Sequence, residues 1–238
     1  MTFRQLTAEL PRPMSSGNLD ANIKGLAYDS RYVKPGYAFI ALRGAIVDGH
    51  DFIEKAIEAG AAAIIAETPP PADSAMPWLH VADTRQTLAL LAATIDKHPA
   101  KSLDIAGITG TNGKTTIAFL IHYLMNKAVK RCGLLGTIYY DLGGPREHAT
   151  HTTPESMELS RYLSKIRDNG CRAVAMEVSS HALAQHRVYG IPFKAGVFTN
   201  LTQDHLDFHG TMEKYFEAKC LLFESIAAQK NGKMIINA

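Results

Sequence analysis

An α/β architecture is predicted for this chain: a small N-terminal α/β domain followed by a P-loop ATPase-like central domain with a mainly parallel sheet. Three observations carry that expectation. Helix-like and strand-like periodicities alternate along the whole sequence, the pattern of layered α/β proteins. The run Leu103 to Thr109 reads as a strand, and a glycine-bearing turn connects it directly to a helix-like run from Ile117 to Ala128. The length of 238 residues is enough for one large domain or two ordinary ones.

Taken in order, Ala38 to Leu42, Ala62 to Ala66 and Trp78 to Val81 read as short strands. The segment from Asp51 to Ala59 places Phe52, Ile53, Ala56 and Ile57 on one face at helical spacing. A second helix opens at Asp83, a plausible N-cap, and runs through Leu88, Leu91 and Ile95 until Pro99 stops it. The domain boundary is expected at about residues 97–102, giving domains 1–98 and 99–238. Further strands are expected at Cys132 to Leu135, Ala173 to Val178, Ala195 to Thr199 and Met234 to Asn237. Thr153-Pro154-Glu155 reads as a helix start, with a capping hydroxyl, a first-turn proline and an acid favoured by the dipole. Thr211 caps a long helix through Tyr215, Phe216, Leu222 and Phe223. The stretch Pro69 to Ser74 is a surface loop.

Composition excludes several classes. Hydrophobic content of 46% and charged content of 20% belong to a core-forming globular protein. A net charge of +2 without a long basic run gives no support for nucleic acid or a membrane surface as partner. Arg4 and Glu9 rule the N-terminus out as a signal peptide, and no apolar stretch is long enough to span a bilayer. Cys132, Cys171 and Cys220 are widely spaced and form no CxxC pair, so a reduced, cytoplasmic setting with packing cysteines is expected.

Chemistry is concentrated at Gly110-Thr111-Asn112-Gly113-Lys114-Thr115-Thr116. Backbone N–H groups that a helix cannot use internally point at an anion in such a turn, and the macrodipole adds positive potential. Lys114 would reach the β and γ phosphates, and the Thr115 hydroxyl would ligate Mg²⁺. Standard Walker spacing would place a first glycine at 108, where Ile108 stands, but the Gly-Lys-Thr core is intact. Glu177 lies at the end of a buried strand, where an unpaired carboxylate costs several kcal/mol, and a Mg²⁺ ion or a water held there would remove that cost. Its alternative role is to cap a neighbouring helix. Asp204, His205, Asp207 and His209 crowd behind another strand as either metal ligands or a solvated loop, in a spacing that fits no zinc pattern. Read from its neighbours alone, Lys219 is a helical lysine with its head in solvent.

Together these segments resemble the Mur ligases, ATP-dependent amide-bond-forming enzymes of peptidoglycan synthesis, and within them the branch that adds the third amino acid. The resemblance rests on Tyr28-Asp29-Ser30-Arg31 with Pro35-Gly36, Asp48-Gly49-His50, the Gly110 to Thr116 loop, Thr152-Thr153-Pro154, Glu177 to His181 with Gln185-His186-Arg187, Asn200-Leu201-Thr202 with Asp204 to Asp207, and Lys219. It implies a uridine-nucleotide site in the first domain at Tyr28, Ser30, Ala45, Ile46 and Val47. It also implies contacts to the UDP-linked sugar–peptide from His151, Thr152, Thr153, Ser179, Gln185 and Arg187, His151 standing where an asparagine is expected. Thr115 and Glu177 match ligands of a first Mg²⁺; His205 and a carbamylated Lys219 match those of a second. Lys114, Lys219, His205 and Glu177 then form the catalytic set. The implied activity phosphorylates UDP-MurNAc-L-Ala-D-Glu with ATP and joins the acyl phosphate to a diamino acid, meso-diaminopimelate or L-lysine, in a cytoplasmic monomer. The central domain is expected to be incomplete at its C-terminus and the amino-acid-binding domain absent, so a fragment without full turnover is expected. Two alternatives are a folylpolyglutamate-synthetase-like ligase and a catalytically silent module binding nucleotide or UDP-sugar.

Overall fold

In the first unit, short apolar runs bounded by polar turns form strands because side chains on both faces of the sheet can be buried. The computed structural model describes residues 1–11, 14–44, 47–72, 74–128 and 131–237, and it divides into Met1–Ile95 and Asp96–Ala238. The first unit contains α1 (Phe3–Thr7), β1 (Met14–Ser16), β2 (Gly25–Ala27), β3 (Tyr37–Ile40), α2 (Ile53–Glu58), β4 (Ala63–Ala66), β5 (Trp78–His80) and α3 (Thr84–Ile95). Its sheet runs β1-β5-β4-β3-β2, parallel except for β1. Asp83 caps α3 by accepting from the Gln86 N–H at 2.9 Å. The expected single helix at 51–59 is instead a 3₁₀ turn, Gly49–Phe52, leading into α2, and Ile57 lies outside the buried face. The asymmetry has a local cause: Asp48 accepts from the His50 N–H and tightens the first turn. Strands β1 and β2, of three residues each, carry too short a pattern to register in the sequence.

The second unit opens with Pro99–Ser102, a 3₁₀ turn, after Lys97 and His98 reverse the chain in the left-handed region. It then comprises β6 (Asp104–Thr109), α4 (Lys114–Ala128), β7 (Cys132–Leu135), β8 (Tyr139–Tyr140), β9 (Glu147–His148), α5 (Ser156–Asp168), β10 (Ala173–Glu177), α6 (Ser180–Ala184), β11 (Phe193–Phe198), α7 (Leu206–His209), α8 (Met212–Ala227) and β12 (Lys233–Ile236). The main sheet, β12-β11-β6-β10-β7, is parallel throughout, and β8 and β9 form a small antiparallel hairpin. The fold is α/β, as the sequence predicts.

Both faces of the sheet are covered. Val174 and Met176 pack with Leu159, Leu163, Leu222 and Ile226 from α5 and α8, while Ala173 and Ala175 face Ala118 of α4. Gly107 and Gly196 let α8 approach closely, since a Cβ at either would meet Leu222 or Ile226. Thr211 caps α8 by accepting from the Lys214 N–H. Thr153 does not start α5: the helix begins at Ser156 behind Glu155, and the Thr153 hydroxyl is used elsewhere. After β10 the chain crosses over β6 to β11, which opens a crevice at the carboxyl ends of these three strands, where parallel sheets take ligands. No helix among the described residues is long and apolar enough to cross a membrane.

The packing makes α8 the clamp of this sheet. Leu222 is fully buried, so Leu222→Ala should cost about 2–5 kcal/mol by urea denaturation; a loss under about 1 kcal/mol would contradict this packing.

Candidate functional site

The turn after β6 is built by two glycines in the positive-φ region, Gly110 (φ 138°) and Gly113 (φ 84°). A Cβ on Gly110 would run into the Thr199 hydroxyl, whereas Gly113 faces open space. Helix α4 begins at Lys114, three residues earlier than expected, with Ile117 N–H closing the first bond to Gly113 O at 3.0 Å. The N–H groups of its first turn therefore have no intrahelical acceptor and point out of the turn.

The loop is braced by the segment after β11. Thr111 N–H donates to Asn200 O at 2.9 Å, Asn112 N–H to Asn200 Oδ1 at 2.9 Å, and Thr199 Oγ1 to Asn112 O at 2.6 Å. Thr111 Oγ1 donates to Thr202 O at 3.1 Å and accepts from Thr202 N–H at 3.0 Å. Thr199, Asn200 and Thr202 thus brace the loop, although Thr202 itself is exposed.

Two ammonium groups converge on one carbonyl. Lys114 Nζ donates to Gly110 O at 2.9 Å and Thr111 O at 2.8 Å. Lys219 Nζ donates to the same Gly110 O at 3.0 Å and lies 4.2 Å from the centroid of the Tyr215 ring. Lys219 is 1% exposed, which overturns the solvent-facing reading: Tyr215, one helical turn earlier, supplies the ring face that a buried cation accepts. Burial pushes the Lys219 amine down to about 7, helped by repulsion from Lys114 and opposed by Asp204. Burial also lowers Lys114, against the pull of Glu177 and Asp204.

Glu177, 1% exposed, ends β10 facing the loop. Its Oε2 accepts from Thr115 Oγ1 at 2.9 Å and Thr137 Oγ1 at 3.2 Å, and its Oε1 from Thr137 N–H at 2.9 Å. It caps no helix. A hydroxyl has one proton, so Thr115, which donates to Glu177, turns its lone pairs away from the carboxylate. That oxygen-rich pair fits the ligand preference of Mg²⁺.

Thr111 to Thr115, Thr137, Thr152, Glu177, Ser179, Ser180, His205, Tyr215 and Lys219 line one cavity of about 270 Å³. Lys114, Glu177, His205 and Lys219 all reach it. The Thr153 hydroxyl lies behind it, donating to Glu177 O at 2.9 Å and accepting from Ser179 N–H at 3.0 Å. Arg187 is half-buried and paired: it donates to Gln185 Oε1 at 2.6 Å and Thr153 O at 3.0 Å, and bridges to Glu155 at 2.7 Å. His151 is exposed and its ring meets Thr150 Oγ1. His205 takes the left-handed conformation (φ 51°), and its ring stacks edgewise on His181 at 4.7 Å. His209 is buried against Ser180 Oγ at 3.0 Å. Among the described residues, no group of three or more His, Cys, Asp or Glu side chains is arranged to hold a metal ion. In the first unit Ser30 is buried at the start of a 3₁₀ turn capped by Asp29, and Val47 is exposed; Ala45 and Ile46 lie outside the described residues. Thr137 and Tyr215 carry no sequence signal of their own. The i, i+4 spacing of Tyr215 and Lys219 is a signal that could have found their pairing.

The burial of Lys219 has a measurable sign. Between about pH 7 and 10.5 the unfolded chain holds this proton and the folded one does not, so stability rises with pH across that window. Each unit of displacement is worth about 1.4 kcal/mol. Urea denaturation should show the parent protein gaining stability on Lys219→Met from pH 7 to 10; parallel curves would contradict the buried amine.

Comparison with known proteins follows the same lines. The Mur ligase middle-domain model matches residues 108–238, and the model described as Mur ligase family, catalytic domain, matches residues 22–95. The curated UDP-N-acetylmuramoyl-L-alanyl-D-glutamate–2,6-diaminopimelate ligase of Solibacter usitatus is 45% identical over 97% of this chain and 47% of its own length. That of Geobacter metallireducens is 46% identical over 98% of this chain and 46% of its own. A solved structure of a ligase with the same name superposes with a TM-score of 0.79 at 30% identity, covering 100% of this chain and 47% of that one. The MurF ligase from Thermotoga maritima in complex with ADP gives a TM-score of 0.56 at 26% identity, covering 91% of this chain and 45% of that one. The chain spans about half the length of the curated relatives it matches. A braced glycine loop, two converging lysines and a buried glutamate occur here in a chain that both family models match, and it belongs to the Mur ligase family.

Proposed function

We propose that this chain is the nucleotide- and acyl-donor-binding part of an ATP-dependent ligase that adds meso-diaminopimelate to UDP-MurNAc-L-Ala-D-Glu. The observation that carries the reading is the convergence of Lys114, Lys219, Thr115 and Glu177 on one cavity at the carboxyl ends of β6 and β10. The names of its relatives supply the substrate, and the added amino acid follows from them alone.

In this reading the turn from Gly110 to Thr116 cradles the ATP phosphates, and Lys114 leaves its carbonyl partners to neutralise charge on the transferring group. Thr115 and Glu177 would hold a first Mg²⁺, and His205 with a carbamylated Lys219 a second. The ions supply charge neutralisation on phosphate oxygens. A lysine lowered to about 7 is about half free amine at neutral pH, the form that carbamylation requires. Thr152 and Ser179 present hydroxyls to the UDP-linked substrate, Thr153 fixes the backbone on either side of Val178, and Gln185 orients Arg187 toward an anionic group. Tyr28, Ser30, Ala45, Ile46 and Val47 would contact the uridine nucleotide. A carboxylate oxygen of the D-glutamyl residue attacks the γ phosphorus and ADP departs; the amine of the incoming amino acid then displaces phosphate. We place the protein in the cytoplasm, as a monomer.

Borohydride trapping separates this reading from a silent binding module. The chain incubated with ATP, Mg²⁺ and UDP-MurNAc-L-Ala-D-Glu should yield a reduced glutamyl product on borohydride treatment, and Glu177→Gln should lower that yield at least about 100-fold. Nucleotide binding with no reduced product would refute ligase chemistry.

A further inference from the structure

Thr137 enters the cavity without any assigned role, and its contacts determine where its one proton lies. It stands after Gly136, where a Cβ would collide with the Glu177 carboxylate, so the backbone there can approach that group closely. Its Oγ1 lies 3.2 Å from Glu177 Oε2 and 3.1 Å from Thr152 Oγ1. Glu177 Oε2 accepts from Thr137 Oγ1, so the single Thr137 proton points to Glu177. The contact with Thr152 then requires Thr152 to be the donor. The sequence of bonds runs Thr152 O–H to Thr137 Oγ1, and Thr137 O–H to Glu177 Oε2.

We propose that Thr137 is a positioning residue that turns Thr152 into a pure hydrogen-bond acceptor toward the cavity. The consequence is selective: Thr152 meets an N–H or O–H of the sugar–peptide substrate and disfavours a phosphate or carboxylate oxygen, since it has no proton left to give. This rests on the reading of Thr152 as a contact to the UDP-linked substrate. Glu177, by holding the end of the bond sequence, orders the acyl-donor side of the cavity as well as the nucleotide side. Thr137 acts on substrate only through Thr152, and that separates it from a residue that merely lines the cavity.

A double-mutant cycle read by calorimetry with UDP-MurNAc-L-Ala-D-Glu tests this on the 238-residue chain. Thr137→Val keeps shape and the backbone N–H but removes the hydroxyl, and should weaken binding about threefold to tenfold. Thr137→Ser restores the hydroxyl and should bind within about twofold of the parent. Thr137→Val combined with Thr152→Val should bind no more weakly than Thr152→Val alone, because the first hydroxyl acts only through the second. Three outcomes overturn the proposal: unaltered binding by Thr137→Val while Thr152→Val binds weakly, multiplicative losses in the double variant, or failure of Thr137→Ser to rescue. If Thr152→Val itself binds like the parent, or the parent does not bind this substrate, the functional reading of Thr152 falls first and takes the relay with it.

Discussion

Lys114 and Lys219 reach the carbonyl oxygen of Gly110 from different helices, and the rest of the second unit is arranged to make that meeting tolerable. Lys219 is buried and Lys114 half-buried; as cations they repel one another, and each loses hydration. The structure offsets this with the Tyr215 ring beneath Lys219, the loop carbonyls around Lys114, and the carboxylates of Glu177 and Asp204 within electrostatic reach. The residual effect is a lowered lysine and a cavity poised for anionic oxygen.

Holding that arrangement takes three strand ends in register. Glu177 pairs with Ile108 and Phe198 with Thr109, so the loop, the glutamate and the bracing segment emerge at one level of the sheet. The crossing of the chain over β6 opens the crevice that these groups fill. Helix α8 links the two layers: Leu222 and Ile226 belong to the core, and Lys219 on the same helix belongs to the cavity.

Much of this was legible because it is local. Glycine spacing, the helix after β6, the cap at Thr211 and the apolar runs of β7, β10 and β11 follow from neighbouring residues. What was not legible depends on partners far along the chain. Nothing within four residues of Thr153 says that its hydroxyl would tie Glu177 O to Ser179 N–H, so it read as a helix cap. Lys219 looked solvated because its carbonyl acceptor lies 109 positions away. Thr137, bonded to a carboxylate 40 positions on, left no pattern at all. In the first unit, β1 and β2 owe their strand pairing to β5 and β3 more than to their own composition.

The account depends on Lys114 being the cation that a bound triphosphate recruits. Titration of Lys114→Ala with a non-hydrolysable ATP analogue, with and without Mg²⁺, tests it most directly. Losing a charge-assisted hydrogen bond should weaken binding by about 10- to 100-fold and flatten the response to Mg²⁺. Parent-like affinity with the same magnesium dependence would contradict the account.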